Sequence, residues 1–90
     1  MISLQDCIGM CGLSEEDVRA IAEHDGVPEI VAAAYASYLC HAPHGLEKVR
    51  DMIVDDIRAA QANHDPAHTA SLLHTLHHFL RAHPEVPLRS

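Results

Sequence analysis

Ninety residues with 48% apolar side chains suffice for one domain, and thirteen alanines, one Phe and no Trp make its core one of small pieces. A formal charge of −7, with only six Lys and Arg scattered along the chain, excludes the clustered basic surface that nucleic acids and anionic membranes require. Three cysteines, an odd number, and the lack of a basic-plus-apolar leader lead us to expect free thiols in a reducing cytosol.

Residues 3–11 read as a short helix, with Ser3 as N-cap, Asp6 in the first turn and Gly12 as a left-handed stop. A stronger start follows at Leu13-Ser14-Glu15-Glu16-Asp17-Val18. Ser14 caps, Asp17 reaches back as the acid of a capping box, Leu13 staples to Val18, and three acids suit the positive end of the helix. This second helix is expected to bury Val18, Ile21 and Ala22 and to stop at Gly26.

Residues 28–42, PEIVAAAYASYLCHA, are apolar around nearly the whole circumference of a helix that has Pro28 in its first turn. Ile30, Ala34, Tyr38 and His41 fall in line, flanked by Val31 and Tyr35. A helix apolar all round belongs in an interior, so this stretch is expected to be the central, buried helix. It is shorter than the about 20 apolar residues that span a bilayer. Ala42-Pro43-His44-Gly45 then breaks the chain.

From Leu46 to about Asn63, Leu46, Val49, Ile53, Ile57 and Ala60 form one stripe and Glu47, Asp51 and Asp55 lie opposite, the pattern of a surface helix. Asp65-Pro66 is an N-cap and N1 pair. The last helix, to about His83, is expected to bury Thr69, Leu72, Leu73, Leu76, Phe79, Leu80 and His83. Pro84-Glu85-Val86-Pro87 is expected to begin an extended tail over residues 83–90. The fold class is all-α, a compact bundle of four helices plus a short N-terminal one, in a single domain over residues 1–90.

Cys7, Cys11, Cys40 and His41 are the candidate metal ligands: two thiols one helical turn apart, with a third thiol and an imidazole from another helix, could complete a tetrahedral zinc site. The alternative is buried thiols beside a hydrogen-bonded core His41. His64/His68 and His74/His78 are spaced at i, i+4, but each pair offers only two ligands, and His74 and His78 face outward. Asp56 and Arg50 border the apolar stripe of their helix from opposite sides and suit salt bridges to a neighbouring helix. His68 and His77 flank the stripe of the last helix and suit a helix–helix or subunit contact. Residues 1–57 carry eleven acids against three bases, whereas six of the nine histidines lie beyond them, so acidification would charge the two parts oppositely.

Residues 21–31, IAEHDGVPEIV, resemble the corner of a helix-turn-helix DNA-binding protein. Ala22 stands where the helices cross, Gly26 at the turn, and Val27 where an aliphatic plugs the core. Glu29 and the alanines after it stand where base edges need Arg, Lys, Asn or Gln. Residues 12–58, with GLSEEDVRAIAEHDGVPEIVAA, HAPHG and VRDMIVDDI, resemble short helical proteins of proteobacteria that carry no assigned activity, which implies an all-helical fold in a bacterial cytosol. With no nucleophile elbow, phosphate loop or dinucleotide fingerprint, no enzyme is expected. The expected function is a small interaction or regulatory protein that acts through protein–protein contacts and forms a homo-oligomer, without a cofactor. A zinc-type metal protein is the alternative, and a degenerate helix-turn-helix regulator ranks third.

Overall fold

Two of the four described helices of the computed structural model begin on a side-chain cap, and one of them stops at a left-handed glycine. Residues 13–86 are described, and they form α1 (Glu15–Asp25), α2 (Glu29–His41), α3 (Gly45–Ala62) and α4 (Pro66–Ala82). No strand occurs among the described residues. The helix expected over residues 3–11 lies outside them.

α1 starts with the expected capping box: Asp17 N–H donates to Ser14 Oγ at 3.2 Å and Ser14 N–H to Asp17 Oδ2 at 3.0 Å. It stops at Gly26, whose φ of 68° is left-handed, and the N–H groups of Gly26 and Val27 both return to the carbonyl of Ala22. Pro28 is the N-cap of α2, not a member of its first turn; its carbonyl accepts from Ala32 N–H. At the start of α4 Asp65 accepts from His68 N–H at 3.1 Å, with Pro66 as the first helical residue.

The organising helix is α3, contrary to the surface position expected of it. It packs against α1, α2 and α4, whereas α2 meets α1 and α3 but not α4. The buried arc of α3 accordingly widens from a stripe to include Met52, Arg50 and Asp56 beside Val49, Ile53, Ile57 and Ala60. Val49 and Ile53 share the fully buried centre with Val18 and Ile21 of α1, Leu39 of α2 and Phe79 of α4. Each such aliphatic or aromatic side chain contributes about 1.5–3 kcal/mol by leaving water.

α2 corrects the expectation of a helix enclosed on all sides. Its inner face is Ala32, Ala33, Ala36 and Leu39; Ile30, Val31, Ala34, Tyr38 and His41 are exposed. Small residues let its backbone come close to its neighbours, and the close approach is seen where a methyl group on Gly45 would overlap the carbonyl oxygen of Leu39. The α2–α3 corner therefore depends on glycine at the first position of α3.

In α4, Leu72, Thr75, Leu76 and Phe79 are buried, but Leu73 is 49% exposed and Thr69 and Leu80 are only half-buried. His83 is buried against the ring of Phe79, with centroids 4.8 Å apart. The chain after α4 turns instead of extending: Val86 N–H donates to the His83 carbonyl at 2.9 Å, and Val86 is buried.

Candidate functional site

Two surfaces carry the chemistry of the described residues, one apolar on α2 and one ionisable where α1, α3 and α4 meet. On α2, Ile30 is 61% exposed, Val31 49% and Tyr38 67%, so three large apolar side chains stand in water on one helix face. Tyr35 stacks on Tyr38 with ring centroids 6.4 Å apart and planes 10° from parallel, which stiffens the aromatic edge of that face. Toward its C-terminal end the face hollows into a shallow depression lined by Ala34, Ser37, Tyr38, His41, Ala42 and Pro43. No charged residue stands between Glu29 and His41.

The second surface centres on Asp56, which is 4% exposed and whose Oδ2 has no hydrogen-bond partner. Burial raises its carboxyl to about 7, and the nearby carboxylates of Glu23 and Asp55 act in the same direction, against His24 and His68. Around it His68 Nε2 lies 2.7 Å from Glu23 Oε1, joining α4 to α1, and His24 Nε2 lies 3.3 Å from Asp55 Oδ2, joining α1 to α3. His24 is held protonated to higher pH than usual, first by its 2.9 Å hydrogen bond to Asp25 and then by Asp55. A carboxyl titrating near neutrality has the strength of a general acid, but at 4% exposure Asp56 is too enclosed to reach a substrate.

A second buried carboxyl, Asp17, is also raised by burial, against the pull of its hydrogen bonds with Ser14. Its Oδ1 and the Nε2 of buried His83 both lack hydrogen-bond partners. The charges of His78 and His83 act on Asp17 from the far end of α4.

The residues singled out from the sequence divide among these places. Asp56 and His68 both belong to the ionisable cluster. Arg50 is buried and forks onto Asp51 of its own helix, with Nε and Nη2 at 3.0 and 2.9 Å from Oδ1. His77 is exposed on the outer side of α4, where it lines a depression with His74, His78 and Arg81. Cys7 and Cys11 lie outside the described residues. Cys40 is half-buried at the α2–α3 corner, whereas the adjacent His41 points to the exposed face. Neighbours on a helix diverge by about 100°, so these two do not converge as ligands. His41 is thus not the core histidine of the alternative reading. Among the described residues no three His, Cys, Asp or Glu side chains are placed to share a metal ion.

Sequence reasoning missed Glu23, His24 and Asp55 as companions of Asp56. Their signal was faint: Asp55 read as part of a solvated face, Glu23 and His24 stand in the last turn before Gly26, and only the packing of the helices joins them. No helix of the described residues is long and apolar enough to cross a membrane. Compared with known proteins, the chain matches no family model, no curated protein and no solved structure.

Proposed function

We propose that this chain is a small non-catalytic interaction domain that binds another protein chain through the outer face of α2. The observation that carries this reading is the juxtaposition of Ile30, Val31, Ala34 and Tyr38 in water on a helix whose opposite face is already packed. Contiguous large apolar side chains of this kind mark interaction sites on small proteins, and aromatic anchors such as Tyr38 supply much of the binding energy there. The strongly acidic remainder of the chain keeps such a patch selective by repelling nonspecific acidic partners.

The outer face also favours protein over DNA as the partner. In a helix-turn-helix reading α2 would enter the major groove, and its exposed residues there are aliphatics, Tyr38, Glu29 and His41, none of which supplies the bidentate donors of Arg, Asn or Gln. Nor does any basic cluster flank it to hold phosphates.

Site-specific photo-cross-linking tests the proposal. Benzoylphenylalanine in place of Tyr38 is expected to yield a protein adduct in the producing cells, whereas the same group at exposed Ala67 of α4 is expected to yield none. Absence of adducts at Tyr38, or equal adducts at both positions, would sink the reading.

A further inference from the structure

We infer that the chain seated on the outer face of α2 is a second copy of this protein, packed antiparallel about a two-fold axis. The inference rests on the proposed use of this face for protein binding and names its occupant. The face carries both projections and a hollow: Ile30 and Val31 stand exposed at the N-terminal end, and the depression between Ala34 and Pro43 lies at the C-terminal end. A two-fold axis near the middle of α2 sets each Ile30 over the partner's Ala42 and each Val31 beside the partner's His41. Ala34 then faces the partner's Tyr38. Small Ala34 leaves room for the partner's Tyr38 ring, and an isologous contact of this kind closes at two subunits.

The charges at the two ends agree with the same arrangement. Glu29 opens the helix and His41 closes it, and both are exposed. Antiparallel pairing brings Glu29 of one chain toward the His41 end of the other and sets each helix N-terminus against the opposite C-terminus. Parallel pairing would put Glu29 against Glu29. The long run between the two ends carries no charge that pairing would bury unpaired.

The contact is small. Thirteen residues make a contact about 20 Å long, and one helix face of that length falls at the low end of specific interfaces. The expected product is a dimer in equilibrium with monomer, with a dissociation constant on the order of 10–100 µM.

Sedimentation equilibrium of the full chain over a range of concentrations reads this directly. The expected mass rises from the 9.9 kDa of one chain toward twice that value. Ile30→Asp is expected to leave a monomer with an unchanged circular dichroism spectrum, because Ile30 is exposed, while Leu73→Asp on α4 leaves the dimer intact. His41→Glu is expected to weaken the dimer roughly fivefold, since two symmetry-related pairs of like charge then face each other, and Glu29→Lys in the same chain is expected to restore it. Failure of Glu29→Lys to restore it overturns the antiparallel arrangement. A dimer lost with Leu73→Asp but kept with Ile30→Asp places the contact on α4 and overturns the inference. A chain monomeric at all concentrations also overturns it; cellular adducts at Tyr38 would then preserve the interaction reading with a different protein as partner. A monomer that becomes a dimer only with Ile8→Asp would overturn it in favour of residues 1–12 as the occupant.

Discussion

His68 of α4 closes on Glu23 of α1 at 2.7 Å, and buried Asp56 of α3 feels the charge of both. The relationship makes stability depend on pH with a definite sign. Asp56 is raised from an ordinary value of 3.8 to about 7, so across that window the folded chain holds a proton that the unfolded chain has lost. Stability therefore falls as pH rises through it. Asp17, also raised, acts in the same sense. The contribution of His24 is complete below its ordinary 6.5 and is lost as pH rises through its raised value. Glu16, lowered chiefly by a backbone hydrogen bond, acts oppositely, with stability lost as pH falls. Thermal melts are expected to show a higher midpoint near pH 5.5 than near pH 8.5. Asp56→Asn, which removes the buried charge, is expected to stabilise by about 1–2 kcal/mol at the higher pH and to flatten the profile. An unchanged slope in that variant would show that Asp56 does not carry it.

Gly45 and Gly26 respond differently to the same methyl group. At Gly45 the added carbon meets the backbone of Leu39, which cannot step aside without moving α2, and Gly45→Ala is expected to cost about 3 kcal/mol or more. At Gly26 nothing lies within 4 Å, so Gly26→Ala carries only the left-handed backbone strain of roughly 1–2 kcal/mol. Urea titrations of the two variants check the order, and equal losses would contradict it.

The helix starts at Ser14 and Asp65 are local devices. Ser14→Ala and Asp65→Ala each remove a side-chain acceptor from a backbone N–H, and each is expected to cost about 1 kcal/mol. The losses are expected to add, because the two caps serve different helices. Strong non-additivity in the double variant would point to a shared network instead.

Leu72 and Leu73 are neighbours of the same type with opposite surroundings, at 5% and 49% exposure. Leu72→Ala is expected to cost about 2–4 kcal/mol and Leu73→Ala no more than about 0.5 kcal/mol in chemical denaturation. Phe79→Ala, fully buried in the centre, is expected to exceed both at about 3–5 kcal/mol.

Capping chemistry and glycine stops act within a few residues of chain, so the sequence by itself determined where α1 begins and ends and where α4 begins: Ser14 with Asp17, Gly26 and the Asp65-Pro66 pair stand where they were expected, whereas Gly45, expected in the break before the helix, is the first residue of α3. It also identified Val49, Ile53, Ile57 and Ala60 as one buried stripe, because a charged opposite face fixes the rotation of α3. For α2 no such polar face exists, and nothing local says which side turns inward. Only the tertiary structure decided that the alanines pack and Ile30, Val31 and Tyr38 remain outside, since a thin alanine face allows the close approach that α1 and α3 demand. The enclosure of α3 was likewise hidden, because Arg50 and Asp56 read as residues on the rim of a stripe until neighbours on three sides buried them. The gathering of Glu23, His24, Asp55, Asp56 and His68 had the same cause: side chains distant in sequence acquire a common electrostatic environment only when their helices cross.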